Sequence, residues 1–317
     1  MSFIRKILFP LSLLYGAITG MRNYFFDRGW FQSVSFEIPV IAVGNLSVGG
    51  TGKTPMIEYL VRLLQKDCDI AILSRGYGRK TKGFLLGEKG SNAELIGDEP
   101  YHFFKKFDRV RVAVDENRVH GVTRLLEDRR PREVVLLDDA FQHRQIKAGF
   151  YILLTSYGKL YSDDLLLPAG DLREPRSGAQ RADVVIVRKC TDDLNVAERK
   201  TIVGQLDLRD DQEVFFTGIH YGNKAIGKTG ELSLEQMQSY QVVLVTGMTP
   251  TPAGEGKSTT AINLAYSLAQ LERVLLIDCD MRRPTVAKAA GFDKSVAGLS
   301  NLITQTAPAR DCIKQGV

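Results

Sequence analysis

Residues 39–55 read PVIAVGNLSVGGTGKTP. An apolar run, Val40–Val43, leads into a glycine-rich turn that ends in Gly52-Lys53-Thr54, and a helical pattern follows with Ile57, Leu60, Val61 and Leu64 on one face. A buried strand, a turn whose glycines let backbone N–H groups point inward, and a helix N-terminus together form a cradle for phosphate oxygens. In such a cradle Gly49, Gly50, Thr51 and Gly52 supply the backbone, Lys53 reaches the outer phosphates and Thr54 holds Mg²⁺. The usual spacing puts glycine six residues before the lysine. Ser47 stands there instead, and the neighbouring glycines compensate. A merely structural glycine-rich turn is the alternative.

Further apolar runs occur at Ile70–Leu73, Val110–Val114, Val134–Asp138, Tyr151–Leu154, Val184–Val187, Val214–Phe216, Val242–Val245 and Val274–Ile277, with amphipathic stretches between them. This is the β-α-β rhythm of a P-loop NTPase-like α/β fold, a doubly wound, mostly parallel sheet covered by helices. The 317 residues, 44% of them hydrophobic and 25% charged, suffice for one large domain or two ordinary ones. A net charge of +5 suits an anionic substrate or a membrane surface without proving either. Cys68, Cys190, Cys279 and Cys312 are scattered without a CxxC pair, as reduced cytosolic thiols are. The basic residues form no aromatic-interleaved patch, so nothing points to nucleic acid.

Two features add chemistry. The run VVLLDDAFQH (134–143) ends a strand in Asp138-Asp139, where a P-loop fold places its metal-holding acid. Two solvated loop aspartates are the alternative. At the N-terminus, Ile4, Leu8, Leu11, Leu14, Tyr15, Ile18, Met21 and Phe25 fall near one helical face, and residues 1–35 carry four basic residues against one acidic. The pattern fits a helix lying in the headgroup zone of a membrane. It fits equally a helix packed on the protein's own core, whereas no small-residue cleavage site supports a signal peptide.

The blocks GNLSVGGTGKTP (44–55), LSRGYGRK (73–80), GDEP (97–100), DDAFQH (138–143), LLPAGDLREP (166–175), RADVVIVRK (181–189) and VFFTGIHY (214–221) occur in one order. Over residues 1–247 the chain thereby resembles the tetraacyldisaccharide 4′-kinases of lipid A synthesis. The resemblance implies transfer of the ATP γ-phosphoryl group, with Mg²⁺, to the 4′-hydroxyl of a tetraacylated disaccharide 1-phosphate. It implies an N-terminal membrane anchor and a place on the cytoplasmic face of the bacterial inner membrane. By position in the blocks, Asp98 is the expected base, Asp138 and Asp139 the metal and active-site acids, and Glu174 a further candidate for the metal shell. Arg75 and Arg79 are candidates for phosphates of lipid or nucleotide, with solvated surface charge as the alternative, and His143 joins them as a substrate-binding candidate. His102, His120 and His220 receive no role.

After Gly247 the likeness changes. The stretch QVVLVTGMTPTPAGEGKSTT (241–260) is a second strand and phosphate loop, in which Gly254, Gly256, Lys257 and Ser258 would cradle phosphate and metal. Together with Leu275–Arg282, a strand ending in D-x-D with arginines behind, it resembles the ATPase domain of bacterial exopolysaccharide tyrosine autokinases. Ala253 replaces a usual proline there, and neither a later acidic strand nor a tyrosine-rich tail follows. No histidine follows His220, although the kinase family brings one to its cleft from its C-terminal half. The expected organisation is a membrane-associated helix (1–30), a P-loop kinase domain (31–220), a linker and start of a C-terminal lobe (221–247), and an atypical β-loop-α-β fragment (248–317). Three functions compete: a lipid A 4′-kinase whose turnover the unusual C-terminus impairs, an autokinase-like ATPase on a membrane-bound body, and an inactive hybrid.

Overall fold

The structure is a computed structural model. It describes residues 8–49, 52–128 and 132–218, with Arg5 and, further on, the strands named below and isolated residues at 261, 265 and 286. The chain divides into two compact units, residues 1–219 and 220–317.

In the first unit helix α1 (Phe9–Asp27) precedes strand β1 (Val40–Asn45), and helix α2 (Lys53–Leu64) follows the glycine-rich turn. Then come β2 (Ile70–Ser74), β3 (Leu85–Leu86), α3 (Ala93–Ile96), α4 (Asp98–Lys106), β4 (Arg111–Val114), α5 (Arg118–Leu126) and β5 (Val134–Asp138). The unit closes with β6 (Phe150–Ser156), β7 (Val184–Arg188), α6 (Val196–Gln205) and β8 (Glu213–Thr217). These strands form one eight-stranded sheet in the order β3-β4-β2-β5-β1-β6-β7-β8. Every neighbouring pair is parallel except β3 with β4. All seven apolar runs expected before residue 220 are strands, and only the two-residue edge strand β3 was not anticipated.

The reason is burial on both faces. Each residue of β2 and of β5 is buried, so helices cover both sides and the strands read as unbroken apolar runs. On one face Met56, Ile57, Leu60 and Val61 of α2 and Phe103 of α4 pack over the sheet, and on the other Val122 and Leu125 of α5 do. Strand β1 lies between β5 and β6, although the chain leaves it toward β2. The connections therefore switch direction beside β1, which opens a crevice at the carboxyl ends of the strands. Both the glycine-rich turn and Asp138 sit at that edge, with Val43 of β1 in register with Asp138 of β5.

In the second unit, β9 (Lys224–Gly227) and β10 (Gly230–Ser233) pair antiparallel, and β11 (Val242–Thr246) and β12 (Val274–Asp278) pair parallel. Both apolar runs expected there are strands.

Candidate active site

The glycine-rich turn delivers α2 without a side-chain cap. Its N-cap, Gly52, has φ +80°, a left-handed conformation that glycine adopts at no steric cost. By contrast Asn92, Asn117 and Asn195 each cap their own helix with a side-chain oxygen. The buried guanidinium of Arg188, at the end of β7, donates to the Gly52 carbonyl and pins the turn from beneath. Gly49 also has positive φ, at +108°. Gly50 and Thr51 lie outside the described residues, as do Gly254, Gly256, Lys257 and Ser258 of the second loop.

Lys53 and the acid pair converge. Lys53 Nζ lies 3.5 Å from Asp139 Oδ1 and 3.4 Å from Asn45 Oδ1. Arg173 grips Asp139 with both ends of its guanidinium, at 2.9 and 3.2 Å, and also donates to the Asn45 carbonyl at 3.1 Å and to its side-chain oxygen. Asp139 itself adopts φ +48°, a conformation rare for residues other than glycine, asparagine and aspartate.

The two carboxyls hold protons very differently. Burial would raise Asp139, but hydrogen bonds from Arg173 and Lys53 and their charges hold it down at about 2. Asp138 is almost wholly buried; that burial, with the charges of Glu99 and Asp139 added, pushes it up to about 7 against the pull of Lys53 and Arg118. Ser74 Oγ donates to Asp138 Oδ2 at 3.2 Å, while buried Oδ1 has no hydrogen-bond partner among the described residues. A buried carboxylate oxygen left open beside a lysine and a second carboxylate suits a hard, oxygen-seeking cation. The residues present thus fit Mg²⁺.

The remaining candidates separate. Asp98 starts α4, after Gly97 at φ +91°, where a Cβ would meet the Tyr77 carbonyl at 3.0 Å and Gly76 at 3.1 Å. Its neighbour Glu99 stands 3.5 Å from the Thr54 hydroxyl, which brings the start of α4 to the start of α2. His143 is held down at about 4 by burial and by the charges of Arg118 and Arg75, so at neutral pH it offers a neutral ring. Arg75 is exposed. Arg79 differs: its side chain is buried, donating to the Gly83 carbonyl at 2.7 Å and to Glu116 at 2.6 Å, and so it braces its own loop. Glu174 differs too. Its carboxylate, a further candidate for the metal shell, is buried and accepts from Asn23 at 2.8 Å, Gln142 at 3.0 Å and Arg181 at 2.9 Å, contacts that brace the surrounding segments.

Asn45, Ser74, Glu99, Arg118 and Arg173 were not singled out from sequence. Glu99 and Arg173 each adjoin a chosen residue inside the GDEP and LREP blocks, and Asn45 and Ser74 end apolar strands, which is a signal. Arg118 carries no such signal, because its burial beside Asp138 depends on how α5 docks.

The model of the family described as tetraacyldisaccharide-1-P 4′-kinase, LpxK, matches residues 4–270. The chain belongs to this family. A tetraacyldisaccharide 4′-kinase of Flavobacterium johnsoniae is 54% identical over 248 residues, which is 78% of this chain and 73% of the relative. One of Bacteroides fragilis is 50% identical over 252 residues, covering 77% and 67%. A crystal structure of LpxK from Aquifex aeolicus in complex with ATP superimposes with TM-score 0.68 at 32% identity, over 88% of this chain and 83% of that one. A second family model, the CobQ/CobB/MinD/ParA nucleotide-binding domain, matches residues 248–306. The two matches overlap over 248–270, so the kinase likeness runs beyond Gly247, the limit expected from sequence.

Proposed function

We propose that this chain, as a lipid A 4′-kinase, uses the Lys53 loop as its working ATP site at a membrane surface. The single observation that carries the proposal is the meeting of Lys53 with Asp138 and Asp139 at the carboxyl ends of adjacent strands. Lys53 and the uncapped start of α2 bind and orient the triphosphate, and Gly49 and Gly52 line its path. Thr54 and Asp138 hold Mg²⁺, which supplies charge neutralisation at the phosphates. Asp98 accepts the proton of the sugar hydroxyl, and Asp139, kept ionised, holds Lys53 in place between phosphate and carboxylate. Arg75 and neutral His143 border the acceptor side.

The membrane part rests on α1. Among the described residues no helix is long and apolar enough to cross a membrane. Yet Leu11, Leu13, Leu14, Ile18 and Met21 are all more than half exposed, an apolar face on a surface helix. At its end Phe25 stacks on Trp30 at 5.1 Å, and Arg22 and Arg28 lie over Phe26 and Tyr24, an aromatic and cationic belt suited to headgroups. The acceptor is the lipid disaccharide 1-phosphate, and the surface it meets is the cytoplasmic face of the inner membrane. Because phosphoryl transfer depends on positioning around the whole cleft, an atypical C-terminal part lowers turnover more than nucleotide affinity.

Incubation with ATP and the lipid disaccharide tests the assignment. Lys53→Ala lowers product formation by about 10²-fold or more, whereas Lys257→Ala leaves it unchanged. Product that survives Lys53→Ala and disappears with Lys257→Ala would overturn the choice of loop. Leu14→Asp with Ile18→Asp abolishes sedimentation with anionic vesicles while leaving the fold intact. Undiminished sedimentation would remove α1 as the membrane contact.

A further inference from the structure

Helices α2 and α4 meet along a line of pairs spaced one turn apart. At the site end, Thr54 Oγ1 and Glu99 Oε1 are 3.5 Å apart. One turn on, Glu58 faces His102 Nε2 at 2.7 Å and receives Lys106 Nζ on both oxygens at 2.7 Å. Arg62, four residues further along α2, donates to Glu58 at 3.2 Å and lies 6.0 Å from the Phe107 ring. Positions 54, 58 and 62 thus form one stripe of α2, matched by 99, 102, 106 and 107 from α4 and its end. Spacings of three and four residues keep such stripes on one helix face.

Glu58 is the odd member. Its side chain is 11% exposed, and it sits on a helix whose neighbouring positions Met56, Ile57, Leu60 and Val61 belong to the apolar core. An apolar side chain at such a place is commonly no worse for stability than a buried ion pair, and the best-attested use of a buried polar group is to fix register. Here register matters, because one end of the line is the start of α2, with Lys53 and Thr54, and the start of α4, with Asp98 and Glu99. A slip of one residue along a helix is about 1.5 Å, and a displacement of about 1 Å at reacting groups can cost about 10²-fold in rate.

We propose that Glu58 is a positioning residue whose pairing with His102, Lys106 and Arg62 locks α2 against α4, holding the phosphate-binding start of one helix in line with the carboxylate-bearing start of the other. It builds on the kinase assignment, in which these two helix starts hold nucleotide and base.

The test uses the full chain with ATP and lipid disaccharide. Glu58→Gln and Lys106→Met each lower kcat about tenfold, with KM for ATP within about twofold of wild type, and Lys106→Arg restores the rate. The double variant falls no further than the worse single variant, as expected of groups acting as one unit. Amide exchange, which needs no turnover, rises over residues 98–102 in Glu58→Gln and stays unchanged in β1 and β5. A kcat within twofold of wild type in both single variants, losses that multiply in the double variant, or exchange raised throughout the sheet would overturn the proposal. A wild-type chain that makes no Lys53-dependent product removes the kinase assignment, and the exchange measurement then decides the lock by itself. Should Glu58→Gln not fold, Lys106→Met and His102→Asn decide by the same readouts.

Discussion

Asp138 and Asp139 are chemically identical and adjacent, yet one carboxyl titrates near 7 and the other near 2. Their surroundings separate them: Asp139 is claimed by Arg173 and Lys53, while Asp138 is enclosed with one oxygen unanswered among the described residues. The folded value of Asp138 lies above its ordinary 3.8, so the wild-type carboxyl is a growing burden on metal-free protein as pH rises from about 4 to about 7. Asp138→Asn removes that burden. We expect it to raise Tm of the metal-free protein by an amount that grows over that interval and levels off above pH 7, while product formation is lost. Thermal unfolding across pH 4–8 in chelator checks this. At this scale sequence was a partial guide. That Lys53 comes together with the Asp138-Asp139 pair was legible, because a glycine-rich turn opening a helix and an acid pair ending a strand lie at the same edge of such a sheet. The bracing of Glu174 and Arg79 was not, because nothing in LREP or SRGYGRK reveals that Asn23, Gln142, Arg181 and Glu116 reach them through the fold.

The strands were legible as elements for a physical reason: a sheet covered on both faces demands unbroken apolar runs, and each run declares itself. Strand β3 was missed because two half-buried leucines at a sheet edge make no pattern. Between helices the signal was weaker still. Glu58 and His102 are 44 positions apart, and only the packing of α2 on α4 brings them within 2.7 Å. That contact has a measurable consequence in acid. Burial would raise Glu58, but hydrogen bonds from His102 and Lys106 and their charges bring it down from 4.5 to about 2. A depressed carboxylate contributes stability above its unfolded value and loses it as pH falls through its folded one. The wild type therefore loses stability between about pH 4.5 and 2 more steeply than Glu58→Gln, as denaturant midpoints across that range would show.

On the scale of the molecule, α1 presents leucines outward while its other side is stitched to the kinase body. Ser12 accepts from the Ala169 amide at 2.9 Å, Tyr15 donates to the Arg173 carbonyl at 2.7 Å, Asn23 donates to Glu174 at 2.8 Å, and Arg144 ties both the Asn23 carbonyl and Asp27. Sequence offered a lipid-facing helix and a core-packed helix as rivals; one side of the cylinder is packed and the opposite side is apolar and exposed, as the proposed membrane contact requires. Anyone wishing to work without detergent would be tempted to clip this greasy segment away. Clipping it would strip Glu174 of one donor and bare the polar seam along Ala169, Arg173 and Glu174, whereas swapping the outward leucines for lysine or glutamate leaves every one of those stitches intact.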